Sequence, residues 1–211
     1  GHYYGTVDAT PLFVVLAAAY WRRTADRTAI AALWPHIARA LAWIDRDGDG
    51  DGDGFVEYQA HTARGLAAQG WKDSYDAVSH ADGALAQPPI ALCEVQGYVY
   101  AARRGAAELA RVLGMSAEAA RLEAQAEDLR VRFERAFWSE PLASYVLALD
   151  RDKRRCEVRS SNAGHLLWSG IVAPARAQLV ADALFSPTSF TGWGIRTLDS
   201  AASRFNPISY H

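Results

Sequence analysis

The 211-residue chain is half hydrophobic, and its 22 basic and 24 acidic side chains leave a net charge of −2. That is enough apolar material for one ordinary core, and the charge balance offers no basic field to nucleic acid. The longest apolar run, residues 11–21, is too short to span a bilayer and lacks the basic start and cleavage site of a signal peptide. Two cysteines, Cys93 and Cys156, cannot make a disulfide scaffold, and neither has a CxxC neighbour to suggest a metal or redox site. They read as one small buried residue and one surface thiol in a reducing, cytoplasmic compartment. The ends, Gly1 and His211, read as cuts within a longer domain.

Alanine-rich stretches with helical punctuation predict six helices. In the first, Thr10 caps and Pro11 takes the first helical position ahead of Leu12 to Arg23. The second follows Asp26, with Ile30, Leu33, Ile37, Leu41 and Ile44 on one face at helical spacing. The third starts at Pro88-Pro89 and ends near Gly114; the fourth is capped by Ser116 and faces the core with Leu122, Ala126, Leu129, Phe133 and Phe137. The fifth follows Ser160-Ser161-Asn162 and runs to Ile171, and the sixth runs from Pro174 to before Pro187. Only residues 143–149 alternate like a strand, returning through residues 156–158 as a small hairpin. The expected class is all-α: helical hairpins at about 10–44, 88–138 and 160–186 forming one domain over residues 1–211, half of a six-hairpin toroid. The links between hairpins, residues 45–87, 139–159 and 187–211, are long enough to be functional and hold most of the Gly, Asp and His residues.

Within one of these links, Gly70-Trp71-Lys72-Asp73-Ser74-Tyr75-Asp76 puts two carboxylates, a cation and two aromatics into seven residues. Aromatic faces stack on sugar CH groups, carboxylates grip hydroxyls, and one desolvated carboxyl can hold a proton for a glycosidic oxygen. The competing reading is a polar interhelical loop with capping aspartates.

This motif, followed by residues 89–98 (PIALCEVQGY), resembles bacterial amylo-α-1,6-glucosidase, glycogen-debranching-like proteins, within the (α/α)₆-barrel inverting glycosidases that include mannosylglycerate hydrolase and trehalase. The resemblance also takes in residues 3–13 (YYGTVDATPLF), 161–168 (SNAGHLLW), 192–197 (GWGIRT) and 206–211 (NPISYH). It implies an Asp general acid at Asp76, with Asp73 as the fallback, a sugar platform at Trp71, and a hydroxyl-binding or acid-tuning Lys72. It also implies a pocket lined by Tyr4, Asp8, His165, Trp193, Arg196, Tyr210 and His211. An inverting enzyme needs a second carboxylate, ~6.5–9.5 Å from the acid, to activate water. The resemblance puts that base in the second half of the barrel, so neither Glu57 nor Glu94 matches it, and the chain reads as a fragment.

Alternating Asp and Gly over residues 45–54 fit the first half of an EF-hand loop through Asp45, Asp47 and Asp49. The twelfth position is Val56, with Glu57 one residue late, so a plain interhelical loop is the expected reading over calcium. His36 reads as a helix-surface residue, and no pair of histidines has zinc-helix spacing. The commitment is an inverting glycoside hydrolase on α-glucosides or glycogen-like oligosaccharides, without a cofactor. A disaccharide phosphorylase and a non-catalytic carbohydrate-binding module are the rivals. Apolar stripes on the first, second and sixth helices are expected to face outward and drive self-association as a homodimer.

Overall fold

The computed structural model describes residues 6–60, 62 and 65–209, so Tyr4, Tyr210 and His211 lie outside the described residues. Among the described residues, six helices form in the expected order: α1 (Ala9–Thr24), α2 (Arg27–Arg46), α3 (Cys93–Val112), α4 (Ser116–Phe137), α5 (Asn162–Ser169) and α6 (Pro174–Leu184). Four two-residue strands, β1 (Ala91–Leu92), β2 (Trp138–Ser139), β3 (Ser144–Tyr145) and β4 (Ala148–Leu149), accompany them.

Asp26 caps α2 by accepting from the Ala29 amide at 2.9 Å. The stripe it introduces is buried at Ile30, Ile37, Leu41 and Ile44, with Leu33 half-buried. Other boundaries differ from expectation. α1 begins at Ala9, with Asp8 at the cap position and Thr10 inside the helix. Pro11 falls third, still within the turn whose amides have no helical acceptor, so its missing N–H costs nothing. α3 starts at Cys93 rather than at the prolines, because residues 90–92 are taken into pairing: Ile90 bridges Tyr58, and β1 pairs antiparallel with β4. Ser116 is the first residue of α4, not its cap. α5 stops at Ser169 because Gly170 adopts a left-handed φ of 78°.

The strand expected over 143–149 is split. Its first half, β3, pairs with β2 at the end of α4, and its second half, β4, pairs with β1. The return through Cys156 does form, with the Cys156 amide donating to the Ala148 carbonyl at 2.9 Å. That return lies under the core, so both cysteines are buried and neither is the expected surface thiol. His36 is exposed, paired with Arg39.

α1, α3 and α5 form an inner layer and run parallel. Arg22 of α1 pairs with Glu108 of α3 near both C-terminal ends, and Tyr98 of α3 meets His165 of α5 near both N-terminal ends. Glycine permits this closeness: a Cβ at Gly105 would lie 2.7 Å from the Ala18 Cβ, and one at Gly97 would lie 2.7 Å from Ser169 Oγ. α2, α4 and α6 return along the outside, joined to the inner helices by short turns. The long connections after α2 and α4 therefore enter the N-terminal ends of α3 and α5, and the one after α6 leaves from that same end, so all three start there. Beneath them lies an aromatic core in which Phe133 stacks on Phe137 at 4.6 Å and on Tyr145 at 5.0 Å, with Phe55 edge-on to Phe137.

A candidate glycosidase site at the inner-helix N-termini

Asp8 precedes α1, Glu94 lies in the first turn of α3, and Asn162 opens α5. The sequence brings three helix N-termini to one end, and each carries a buried polar side chain there. Burial pushes the carboxyl groups of both Asp8 and Glu94 above their ordinary values. A helix N-terminus favours the ionised form by only ~0.3–1 kcal/mol, so desolvation wins at both. Glu94 is the more enclosed, at 1% exposure. The Asn162 amide donates to it and the Lys72 charge lies nearby, both working against the shift. Asn162 is oriented in turn by Ser160, whose hydroxyl donates to Asn162 Oδ1 at 3.0 Å.

The loop carrying Trp71 and Lys72 folds over these ends. At Gly70 a Cβ would lie 2.5 Å from Leu92 Cδ1, so a larger residue there would have to displace the Leu92 side chain. Trp71 stacks on the His165 ring with centroids 5.6 Å apart, and the Tyr98 hydroxyl is 2.6 Å from His165 Nδ1. Burial, then the Lys72 charge, holds the His165 imidazole below its ordinary value, which keeps it neutral at pH 7. The Lys72 ammonium is buried and pulled down to about 8 by desolvation. It donates to the Thr197 carbonyl at 2.5 Å, tying this loop to the last connection. Asp8, Trp71, Lys72 and His165 thus share one neighbourhood with Tyr98 and Glu94.

Asp76 lies at the far end of the turn, half-exposed, and accepts from Arg204 Nη2 at 2.9 Å. Lys72, Asp76, Arg204 and Ser79 line a cavity of about 320 Å³. Asp73 is exposed at the start of the same turn. Arg196 lies over the Phe205 ring at 5.6 Å, bordering a second hollow of about 220 Å³ with Thr191 and Asn206. Trp193 stands apart from the cluster: it is 98% exposed on a tight turn where Gly192 takes a φ of 92° and Thr191 Oγ1 accepts from the amides of residues 193 and 194.

Tyr98, Asn162 and Arg204 were not assigned roles from sequence. Tyr98 was legible, since it lies one helical turn after Glu94 on the same face of α3. Arg204 sits in an irregular tail with no local signal. In the acidic loop the weak calcium candidates Asp45, Asp47 and Asp49 do not converge. Asp45 is drawn to Arg103 at 2.8 Å and Asp47 to Arg46 at 2.7 Å, so neither joins Asp49 around a common point. The oxygens that do converge, within 4.8 Å, are those of Asp49, Asp51 and Asp53. The Lys153 ammonium lies 2.6 Å from Asp51 and 2.7 Å from Asp53.

Comparison with known proteins follows the same lines. The family model of the mannosylglycerate hydrolase MGH1-like glycoside hydrolase domain matches residues 6–211. Among solved structures, the chain is similar to a GH63 mannosylglycerate hydrolase from Thermus thermophilus in complex with Tris, at 14% identity and a TM-score of 0.68 over 93% of this chain and 58% of that one. It is also similar to a GH78 rhamnosidase of Bacillus sp. GL1, at 20% identity and a TM-score of 0.66 over 86% of this chain and 17% of that one. A D-mannose isomerase, at 15% identity and a TM-score of 0.54 over 87% and 41%, shows that the fold alone does not fix the reaction. No curated protein sequence matches the chain. The chain spans less than two thirds of each of these three structures. With the helical fold and a match over nearly its whole length, the chain belongs to the mannosylglycerate hydrolase MGH1-like glycoside hydrolase domain family.

Proposed function

We propose that this chain carries the acid-bearing part of an inverting glycosidase site for neutral α-glucosides or glycogen-like oligosaccharides, as in amylo-α-1,6-glucosidases. The observation that supports it best is the Trp71–His165 stack beside buried Asp8, Lys72 and Glu94 at the converged helix ends. An aromatic platform with desolvated carboxyls and a neutral imidazole suits an uncharged, hydroxyl-rich ligand. In this reading the 73–76 turn supplies the proton, from Asp76 with Asp73 as the alternative, and the leaving oxygen enters the cavity between Lys72 and Arg204. For Asp76 to donate, its Arg204 pair must open. Asp8, Trp71, Lys72 and His165 bind the sugar at the acid's side. Arg196 and the exposed Trp193 serve units further along the chain, and Tyr4, Tyr210 and His211 complete the pocket from beyond the described residues. The water-activating base comes from outside this chain's matched positions, and Glu94, fully enclosed, positions Lys72 and Asn162 instead. A cytoplasmic setting suits the two unpaired thiols, and self-association belongs to the same reading.

Asp76→Asn should abolish turnover while sparing sugar binding, because it keeps shape and removes the transferable proton. Asp73→Asn should weaken binding more than turnover. A glycoside panel with product analysis, run on a form with measurable activity, checks this, and the reverse pattern moves the acid to Asp73. Two cations beside Asp76 also favour a second reading, a disaccharide phosphorylase in which phosphate replaces water. Turnover that requires phosphate selects it. Binding of oligosaccharide with no turnover in any form selects the binding module.

A further inference from the structure

On the α2 side of α1, a cavity of about 440 Å³ opens between the start of α1, the end of α2 and the loop after it. It shares no lining residue with the cavity at Asp76. Its volume falls in the range of small-molecule pockets. The walls include Trp43, Asp47, Glu57, Gln69 and Thr10. Trp43 is half-buried and leaves part of its surface uncovered.

The polar lining is mixed: Thr6, Thr10, Tyr58 and Gln59 carry donors, while Glu57, Gln69 and Asp47 offer acceptors. Glu57 is held at Oε2 by Lys153 at 2.9 Å, while its Oε1 faces Gly50, 3.3 Å from where a Cβ would stand. Burial is the largest influence on this carboxyl and raises it above its ordinary value, so a donor brought to Oε1 would relieve a desolvated oxygen. Gln69 spends its amide N–H on the carbonyls of residues 59 and 66, leaving its side-chain oxygen as an acceptor. Asp47 is fixed in place by Arg46 and keeps unused lone pairs.

Acceptors and hydroxyl donors side by side next to an indole call for a ligand with several hydroxyls, which both donate and accept, and an apolar face. An anion would meet two carboxylates. A metal ion is a poor match, because the carboxylate oxygens that converge among the described residues are those of Asp49, Asp51 and Asp53, not these. From this we infer that the cavity is a second, peripheral subsite for a neutral pyranose unit, separate from the central cluster and resting on the carbohydrate reading above. Such a site would hold a remote part of a branched or long glycan while another part occupies the centre.

The test is titration of the full chain with methyl α-glucopyranoside and methyl α-mannopyranoside, followed by amide NMR, with glucuronic acid as the anionic control. Shifts at Gly50 and at the Gln59 and Gln69 side-chain amides are expected with a neutral glycoside and not with glucuronic acid. Gly50→Leu projects into the cavity from a position where the new Cβ meets only Glu57 Oε1, and should weaken these shifts roughly tenfold or more in Kd. Gln69→Leu, which removes an acceptor without filling space, should do the same and guards against a folding defect in the first variant. Trp71→Ala should leave them unchanged. Neutral-glycoside binding lost in Trp71→Ala but kept in both cavity variants overturns the peripheral site and leaves the central one standing. Binding lost in the cavity variants but kept in Trp71→Ala supports the peripheral site whatever becomes of the centre. No shift with either neutral glycoside, or equal shifts with glucuronic acid, overturns the inference.

Discussion

At Gly105 one methyl group governs how closely α3 can lie on α1. Alanine gains ~1 kcal/mol over glycine inside a helix, but its Cβ would stand 2.7 Å from the Ala18 Cβ, and neither atom can swing aside. Overpacking of this kind costs ~1–3 kcal/mol, so Gly105→Ala should be net destabilising by up to about 2 kcal/mol, read from the urea midpoint. Adding Ala18→Gly should recover part of the loss. Lys72 makes a different prediction. Its folded value near 8 lies below the ordinary 10.5, so between these the unfolded chain binds a proton that the folded one does not. Stability from this group therefore rises from about pH 8 to 10.5, and below pH 8 the buried charge costs about 3 kcal/mol. Lys72→Met should lose that alkaline rise. Urea titrations of both proteins between pH 7 and 10.5 check it, and parallel curves would mean that Lys72 is better hydrated than its burial implies.

Elements whose boundaries are set locally were legible in the sequence, and those set by distant partners were not. α2 announces itself by the Asp26 cap and an apolar stripe, both properties of its own residues. The start of α3 does not, because residues 90–92 are claimed by Tyr58 and β4, far away in the chain. The alternation of residues 143–149 signalled extended backbone, but alternation carries no information about which strand sits alongside. The Asp-Gly loop shows the same limit. Its spacing suggested ligands at Asp45, Asp47 and Asp49, whereas Arg103 on α3 and neighbouring Arg46 remove the first two. Lys153, about a hundred residues on, settles among Asp51, Asp53 and Glu57 instead. Lys153, Asp51 and Asp53 are partly exposed and only Glu57 is enclosed, so the hub is worth less than a fully buried pair. Lys153→Met should cost about 1–2 kcal/mol, visible as a lower melting temperature. Lys153 already has a φ of 58°, a strain methionine shares, so the change isolates the charge. A calcium chelator should leave the wild-type melting temperature unmoved, because the ammonium already sits among these carboxylates. A chelator-dependent fall would overturn that.

At the scale of the whole molecule, parallel inner helices explain why residues from three separate motifs meet. Asp8, Trp71, Lys72 and His165 precede or begin inner helices, and three long connections at one end place them together. Trp193 escapes this logic because its connection leads beyond α6 to no inner helix among the described residues. The same arrangement leaves the flanks of the layer open. Leu16 on α1 is 68% exposed, Trp168 on α5 64%, and Phe185 just after α6 62%, with Leu179 of α6 at 43%. α2, expected to share this exposure, carries no large apolar side chain exposed to this degree, and its Leu33 and Trp34 are half-covered. Burying four such side chains returns roughly 6–12 kcal/mol at about 1.5–3 kcal/mol each. Association itself costs ~4–15 kcal/mol. These ranges overlap, so pairing through the flanks should be weak, with dimer growing in only at tens of micromolar or above. Sedimentation velocity across a dilution series measures it. Leu16→Glu and Phe185→Glu together should hold the chain monomeric throughout, because each places a charge where the partner's apolar surface would lie. A chain that stays monomeric without these changes at the highest concentrations would mean that the exposed side chains are too scattered to form one face. A dimer unaffected by them would mean that the contact lies elsewhere, with the loop end and its exposed Trp193 the next surface to substitute.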